Sequence, residues 1–332
     1  MAGRSTTATF LAIVSSTSAI GIAYLFYRHA DLARRVQHDM RKGSLSKESV
    51  PDSASDEGQK PSITSSASSS STTTIATSTF DNIESIPKSI LSGDEQVFIV
   101  YDAARKTVPT ARLPDHLTRD ELLNAYVRRN MVTFATWYPQ AWALKALCKK
   151  YAAASEAETS GTSGTPPRTT RSELRPKAPH ETFASAYIRN LNFQVGDIVC
   201  GVHRVLVRTS AKIEFSTEMP GPATTTMISE ETQGAQDARA VSASSSSSPS
   251  ANPVKGGRLV ISIKDTNSIF DHDDGDADHK MTTFTTESIM WKDTEETRPI
   301  PLEVGPMIWL HELASWSLLE GGVNYVVGLK KK

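Results

Sequence analysis

The residues best suited to move a proton lie in the second half of the chain. His203 sits inside the strand-like run Val195–Val207. Alternation puts Val202, Arg204 and Leu206 on one side and His203 on the other with Val199, Val205 and Val207. An imidazole among apolar neighbours titrates close enough to neutrality to serve as a general acid or base. The competing reading is a hydrogen-bonded structural histidine. Glu287 shares parity with Ile289 and Trp291, so its carboxyl is expected to point into an apolar interior, where desolvation raises the pKa of an acid. Glu214 lies opposite Ile213 and Phe215 and is expected to face solvent. His203 and Glu287 are therefore the catalytic candidates. Trp291 (core side chain or ligand platform), Tyr187, Arg128 and His311 form the ligand-binding set. A guanidinium such as that of Arg128 can hold a carboxylate or phosphate. His311, on the last helix, lines either a cavity mouth or a solvated face.

Several chemistries are excluded or left without support. The run Asp271–His279 has a metal-like composition, but a calcium loop begun at Asp274 has His279 where Gly belongs and Thr285 where the bidentate acid belongs. It reads as an acidic turn, and no metal site is expected. No nucleophile elbow, phosphate loop, dinucleotide-binding glycine pattern or zinc-protease motif occurs, so no cofactor is expected. A formal net charge of −1 gives no reason to expect nucleic acid as a partner. Two cysteines in 332 residues are no disulfide framework.

The elements that must hold these residues follow from pattern. Val97–Tyr101 is β-branched and aromatic, a strand. Thr118–Glu121 is a capping box, and a helix is expected from it through Leu122, Leu123, Tyr126 and Val127 to Met131 and Phe134. Pro139 suits the first turn of a second helix. Phe183, Tyr187 and Leu191 are four apart, which suggests a third, short one. Four strands follow: Val195–Val207, then Lys212–Phe215 after a turn at Thr209–Ala211, then the alternation of Leu259, Ile261 and Ile263, then Thr282–Trp291. A long helix from about Gly305 to Val327 ends the chain, with Gly321 and Gly322 inside it at about 1 kcal/mol each relative to Ala.

This order of strand, helices, antiparallel strands and long terminal helix is an α+β pattern. Carried by Val97–Tyr101, the helices after Thr118, Val195–Val199 and the helix from Gly305, it resembles the helix-grip superfamily. That group includes lipid-transfer domains, birch-pollen-allergen-like proteins and aromatic polyketide cyclases. The resemblance covers about two thirds of the chain. It implies a curved antiparallel sheet wrapped around the last helix, with a deep cavity for a hydrophobic small molecule, although five strands are counted here against six or seven. The implied function is that of a cyclase- or isomerase-like enzyme or accessory factor of polyketide- or terpenoid-type secondary metabolism. The alternative is a non-catalytic lipid-binding or lipid-transfer module. Phe193–Asp197 also resembles a strand of hot-dog-fold thioesterases and hydratases, which lack such a terminal helix.

Residues Ser5–Tyr27 carry no charge, and Arg28, Arg34, Arg35, Arg41 and Lys42 follow. A transmembrane anchor over 1–30 is the expectation, single-pass, with the bulk of the chain cytosolic at the endoplasmic reticulum or mitochondrial outer membrane. A secretory signal or a mitochondrial presequence fits less well. The Ser/Thr-rich segment 31–94 reads as a disordered tether. A single domain is expected over 95–332, with disordered insertions at about 153–179 and 220–257.

Overall fold

The computed structural model describes residues 21, 23–46, 74–160, 178–217, 254–267 and 280–330. Helix α1 (residues 23–33) leads into β1 (Gln37–Ser46). Then come β2 (Thr74–Ala76), α2 (Lys88–Leu91) and the long central strand β3 (Val97–Pro109). Three helices follow, α3 (Arg119–Trp137), α4 (Pro139–Ser160) and α5 (Ser185–Asn190). The chain then forms β4 (Ile198–Val199), β5 (His203–Arg208), β6 (Lys212–Thr217), β7 (Gly256–Asn267) and β8 (Lys280–Asp293), and ends in α6 (Gly305–Leu329).

The eight strands form one sheet in the order β2-β1-β3-β8-β7-β6-β5-β4. Every pairing is antiparallel except β1 with β2, so the sheet is mixed where a wholly antiparallel one was expected. The α+β class and the terminal helix stand. The run Val195–Val207 is two strands, because the chain reverses at Cys200 and Gly201, both at positive φ. The register between β5 and β6 shifts between Val205 and Val207.

Each face of the sheet has its own cover. Phe98, Val100, Asp102, Ala104 and Lys106 of β3 point to one face, under α3 and α6. Val97, Ile99, Tyr101 and Ala103 point to the other, where Phe80, Ile83, Ile86 and Ile90 from the segment 77–91 pack on them. Under α6 the interior is closed by Tyr126, Phe284, Trp316, Leu319 and Val323, all between 0 and 4 % exposed. The space in which the helix-grip resemblance places a ligand is thus filled by the chain's own side chains.

The expected anchor is corrected. Residues 1–20 and 22 lie outside the described residues, and among the described residues no helix is long and apolar enough to cross a membrane. Helix α1 ends at residue 33 and docks on the domain: Leu32 is fully buried and His29 bonds to Glu312 of α6. Charged and polar residues read as a membrane flank therefore serve the fold, and the structure does not support a single-pass placement. The segment read as a tether supplies β1, β2, α2 and the cover at 77–91. Of the expected insertions, 161–177 and 218–253 lie outside the described residues, while residues 153–160 continue α4.

Two ties align α6 with β3. His311 bonds to Asp102, and Glu320 pairs with Lys106. Nine helical residues rise about 13 Å, as do four strand residues, so both ties are met without bending. The α3–α6 crossing is close because Gly322 has no side chain: a Cβ there would run into Asn130 and Tyr126, whereas one on Gly321 would meet nothing within 4 Å. Gly321→Ala is expected to raise stability by about 1 kcal/mol. Gly322→Ala should lower it by roughly 1–3 kcal/mol. Urea unfolding of the two variants checks the contrast, and equal midpoints would count against this packing.

Candidate functional site

β1 and α6 converge on one buried carboxylate of β3. Asp102, in the middle of β3, is 1 % exposed. The sheet register sets Met40 opposite it and His38 opposite Ala104, so His38 is its diagonal neighbour on the same face. The His38 Nε2–H donates to Asp102 Oδ1. From the other side α6 brings His311, whose Nε2–H donates to Oδ2 at 2.9 Å. Both oxygens of one buried acid are thereby occupied by imidazoles from residues 64 and 209 positions away. The next residue on α6, Glu312, accepts from His29 of α1 at 3.0 Å and lies 4.0 Å from the His38 nitrogen.

Aromatic rings enclose this cluster. Trp316, one turn after Glu312, stacks on His29 at 4.7 Å between centroids and meets the edge of His38 at 5.0 Å. Trp309 lies 5.7 Å from His29 and 5.2 Å from Phe26, which is 60 % exposed. The side chains of His38 and His311 keep 21 % and 25 % of their surface accessible. Beside the cluster the Ser315 hydroxyl and the Trp316 indole N–H are buried without a hydrogen-bond partner among the described residues.

The charges reinforce one another. The hydrogen bond to Asp102 raises the pKa of His38 above its ordinary value, against the opposing effect of burial. Burial pushes Asp102 upward, but the bonds from His311 and His38 outweigh it and hold the carboxyl below the usual range. The cluster is hydrogen-bonded rather than metal-ready: among the described residues no group of three or more His, Cys, Asp or Glu is arranged to hold an ion.

The sequence-predicted residues are not brought together, except that His311 belongs to this cluster. His203 lies on the same sheet face but beneath α3, its ring 6.4 Å from Phe134 and 6.1 Å from Phe215, and burial pushes its pKa down to about 4. Glu287 lies on the opposite face, where it accepts from the Tyr101 hydroxyl at 3.2 Å, and burial raises its pKa. Trp291, 3 % exposed, packs on that same face with Arg258 over its ring at 5.0 Å. The Tyr187 hydroxyl donates to the Ile198 carbonyl at 2.9 Å and ties α5 to β4. Arg128 borders a cleft of about 650 Å³ with His116, Asp120 and Asn192, but its guanidinium is committed to Leu191 O at 2.9 Å and Asn192 Oδ1 at 2.7 Å.

Glu214 overturns the expectation of a solvated side chain. It is fully buried on the face covered by residues 77–91, and accepts the amide protons of Glu84 and Ser85 at 3.0 and 2.8 Å as well as the Lys212 ammonium at 2.6 Å. The sequence pattern assigns no role to His29, His38, Asp102 or Glu312. The one available signal was Asp102 itself, a charge at the same parity as Phe98 and Val100.

The two histidine environments oppose each other in pH. His38, raised in the folded state, stabilises fully below its unfolded pKa of roughly 6.5, and this is lost as pH rises through the folded value. His203, depressed, stabilises fully above roughly 6.5, and this is lost as pH falls toward its folded value. Asp102→Asn should flatten the fall in melting temperature above about pH 6.5, and His203→Leu should flatten the fall below it. Thermal melts across pH check both, and an unchanged alkaline limb in Asp102→Asn would remove the electrostatic account of the cluster. No protein-family model matches the chain, and neither does any curated protein or solved structure.

Proposed function

We propose that the chain binds a hydrophobic small molecule against the aromatic wall of Phe26 and Trp309, with the buried Trp316 behind it, and transfers protons to and from it with His311 and His38. The observation that carries this reading is the Asp102 carboxylate, fully desolvated yet bonded through both oxygens to imidazoles that remain partly accessible. A ring that donates Nε2–H to a carboxylate carries its neutral lone pair on Nδ1. The carboxylate also favours the imidazolium formed when that lone pair takes a proton. Asp102 is a positioning residue, while His38 and His311 are the acid and base.

The surroundings support an apolar guest. Met307 and Leu310, in the same helical stretch as Trp309, are 41 % and 36 % exposed. The unpartnered Ser315 hydroxyl and Trp316 N–H are polar handles at the inner end of that wall. A buried donor left unmatched costs about 1–3 kcal/mol, which a carbonyl or hydroxyl on a ligand would relieve. The filled interior moves the binding place from beneath α6 to its N-terminal half.

Deuterium incorporation tests the chemistry without a known substrate. The full chain is incubated with β-tetralone, a flat bicyclic ketone, in deuterated buffer, and α-carbon exchange is followed by NMR. Exchange above the buffer rate is expected, falling about 100-fold in a His38→Ala/His311→Ala variant. In Asp102→Asn the rate should fall and the pH–rate profile should shift to lower pH, because the base loses the charge that strengthens it. Exchange equal to buffer, or equal in all variants, overturns the proposal.

A further inference from the structure

The two cysteines of the chain, 52 positions apart, lie on neighbouring segments of the fold, the Cys148 sulfur over Gly201. Cys148 lies on α4 and Cys200 in the reversal between β4 and β5, and they are 1 % and 0 % exposed. The reversal is tightly made. Cys200 has φ +50°, Gly201 has φ +71°, and Val202 N–H donates back to the Cys200 carbonyl at 2.8 Å. Thr182 holds the turn against the 3-10 turn Pro179–Phe183, accepting the Cys200 amide through its carbonyl at 3.3 Å and the Gly201 amide through its hydroxyl at 2.8 Å. A Cβ on Gly201 would stand 2.6 Å from the Cys148 sulfur. The sulfur of α4 therefore occupies the space above the residue next to Cys200.

We propose that Cys148 and Cys200 are a dithiol–disulfide site, oxidised by a peroxide to an intramolecular bond that fastens α4 to the β4–β5 turn. The balance is two thiols and one hydrogen peroxide giving one disulfide and two waters. The Cys148 thiolate attacks a peroxide oxygen, the O–O bond breaks, and a sulfenic acid and hydroxide result, the hydroxide becoming the first water with the proton that the Cys148 thiol gave up. The Cys200 sulfur then displaces the sulfenic oxygen, which leaves with its proton and that of Cys200 as the second water. Two electrons pass from the sulfur pair to the peroxide. Cys148 is the attacking residue because burial and the neighbouring sulfur push the Cys200 thiol up to about 12, whereas burial raises Cys148 less far. Both shifts keep the thiols protonated at neutral pH, so the reaction is slow there and accelerates at alkaline pH.

The test uses the full chain, treated with excess hydrogen peroxide at mildly alkaline pH, alkylated after unfolding, and analysed intact and as peptides. The expected product is a monomer lighter by about 2 Da that takes up no alkylating reagent, yields a Cys148–Cys200 linked peptide and reverts with dithiothreitol. Its melting temperature should rise by about 5 °C relative to the reduced chain. Two alkylated thiols, separate sulfinic acids on each cysteine, or cross-linked dimers on a non-reducing gel would each overturn the proposal. The peptide readout on the natural chain does not depend on any variant folding. Cys148→Ser, checked by its melting curve, should take up one reagent molecule after the same treatment.

Discussion

A single carboxylate sets the terms for one end of this molecule. Asp102 sits in the centre of the sheet with almost no water, a place where an ionised acid is tolerated only if it is bonded on every side that matters. The bonds come from His38 on β1 and His311 on α6. The charge thus ties the strand beside it and the helix above it to the same point. Remove the acid and α6 keeps its apolar packing on Tyr126 and Phe284, but the first half of the helix loses what fixes its rotation over the sheet. Glu312, adjacent to His311, extends the same network to α1, so the N-terminal helix is docked through the charge cluster as well as through Leu32.

The opposite face repeats the device with a different acid. Glu214 is as buried as Asp102, and its partners are two backbone amides and a lysine. It pins the segment 77–91 across β6, as Lys212 and Arg258 do by bonding to Asn82 O and Ser85 O. The two faces then differ in what their charges can do. Glu214 is sealed under a backbone strap. Asp102 presents partly open rings at the edge of an aromatic wall. This contrast favours the Asp102 face for the proposed proton chemistry and a structural role for Glu214.

Local pattern made much of the architecture legible. Thr118 and Glu121 form the reciprocal capping box that their spacing implies, and Pro139 opens α4. Leu259, Ile261 and Ile263 do share a face, and so do Glu287, Ile289 and Trp291. Alternation correctly set Glu214 apart from Phe215. What it could not reveal was that residues 77–91, read as tether, return to cover that face. The same misreading hid His38, because a polar stretch flanked by Ser and Thr carries no periodic signal of the place β1 takes beside β3. His29 was hidden by the apolar run before it. A site assembled from residues 29, 38, 102 and 311 has no spacing to detect; only the sheet register and the lie of α6 create it.

The sheet's margins carry a consequence of their own. One outermost strand has three residues and the other two, too short to template a neighbouring molecule. Where β1 runs past β2, its flank bears Asp39 and Arg41, paired with each other at 2.9 Å. Where β5 runs past β4, the backbone of Gly196 and Asp197 bonds to Val205. Eight strands with so much β-branched sequence would otherwise be prone to stack edge to edge into fibres. Here the borders are blunted by brevity, charge and a folded-back loop.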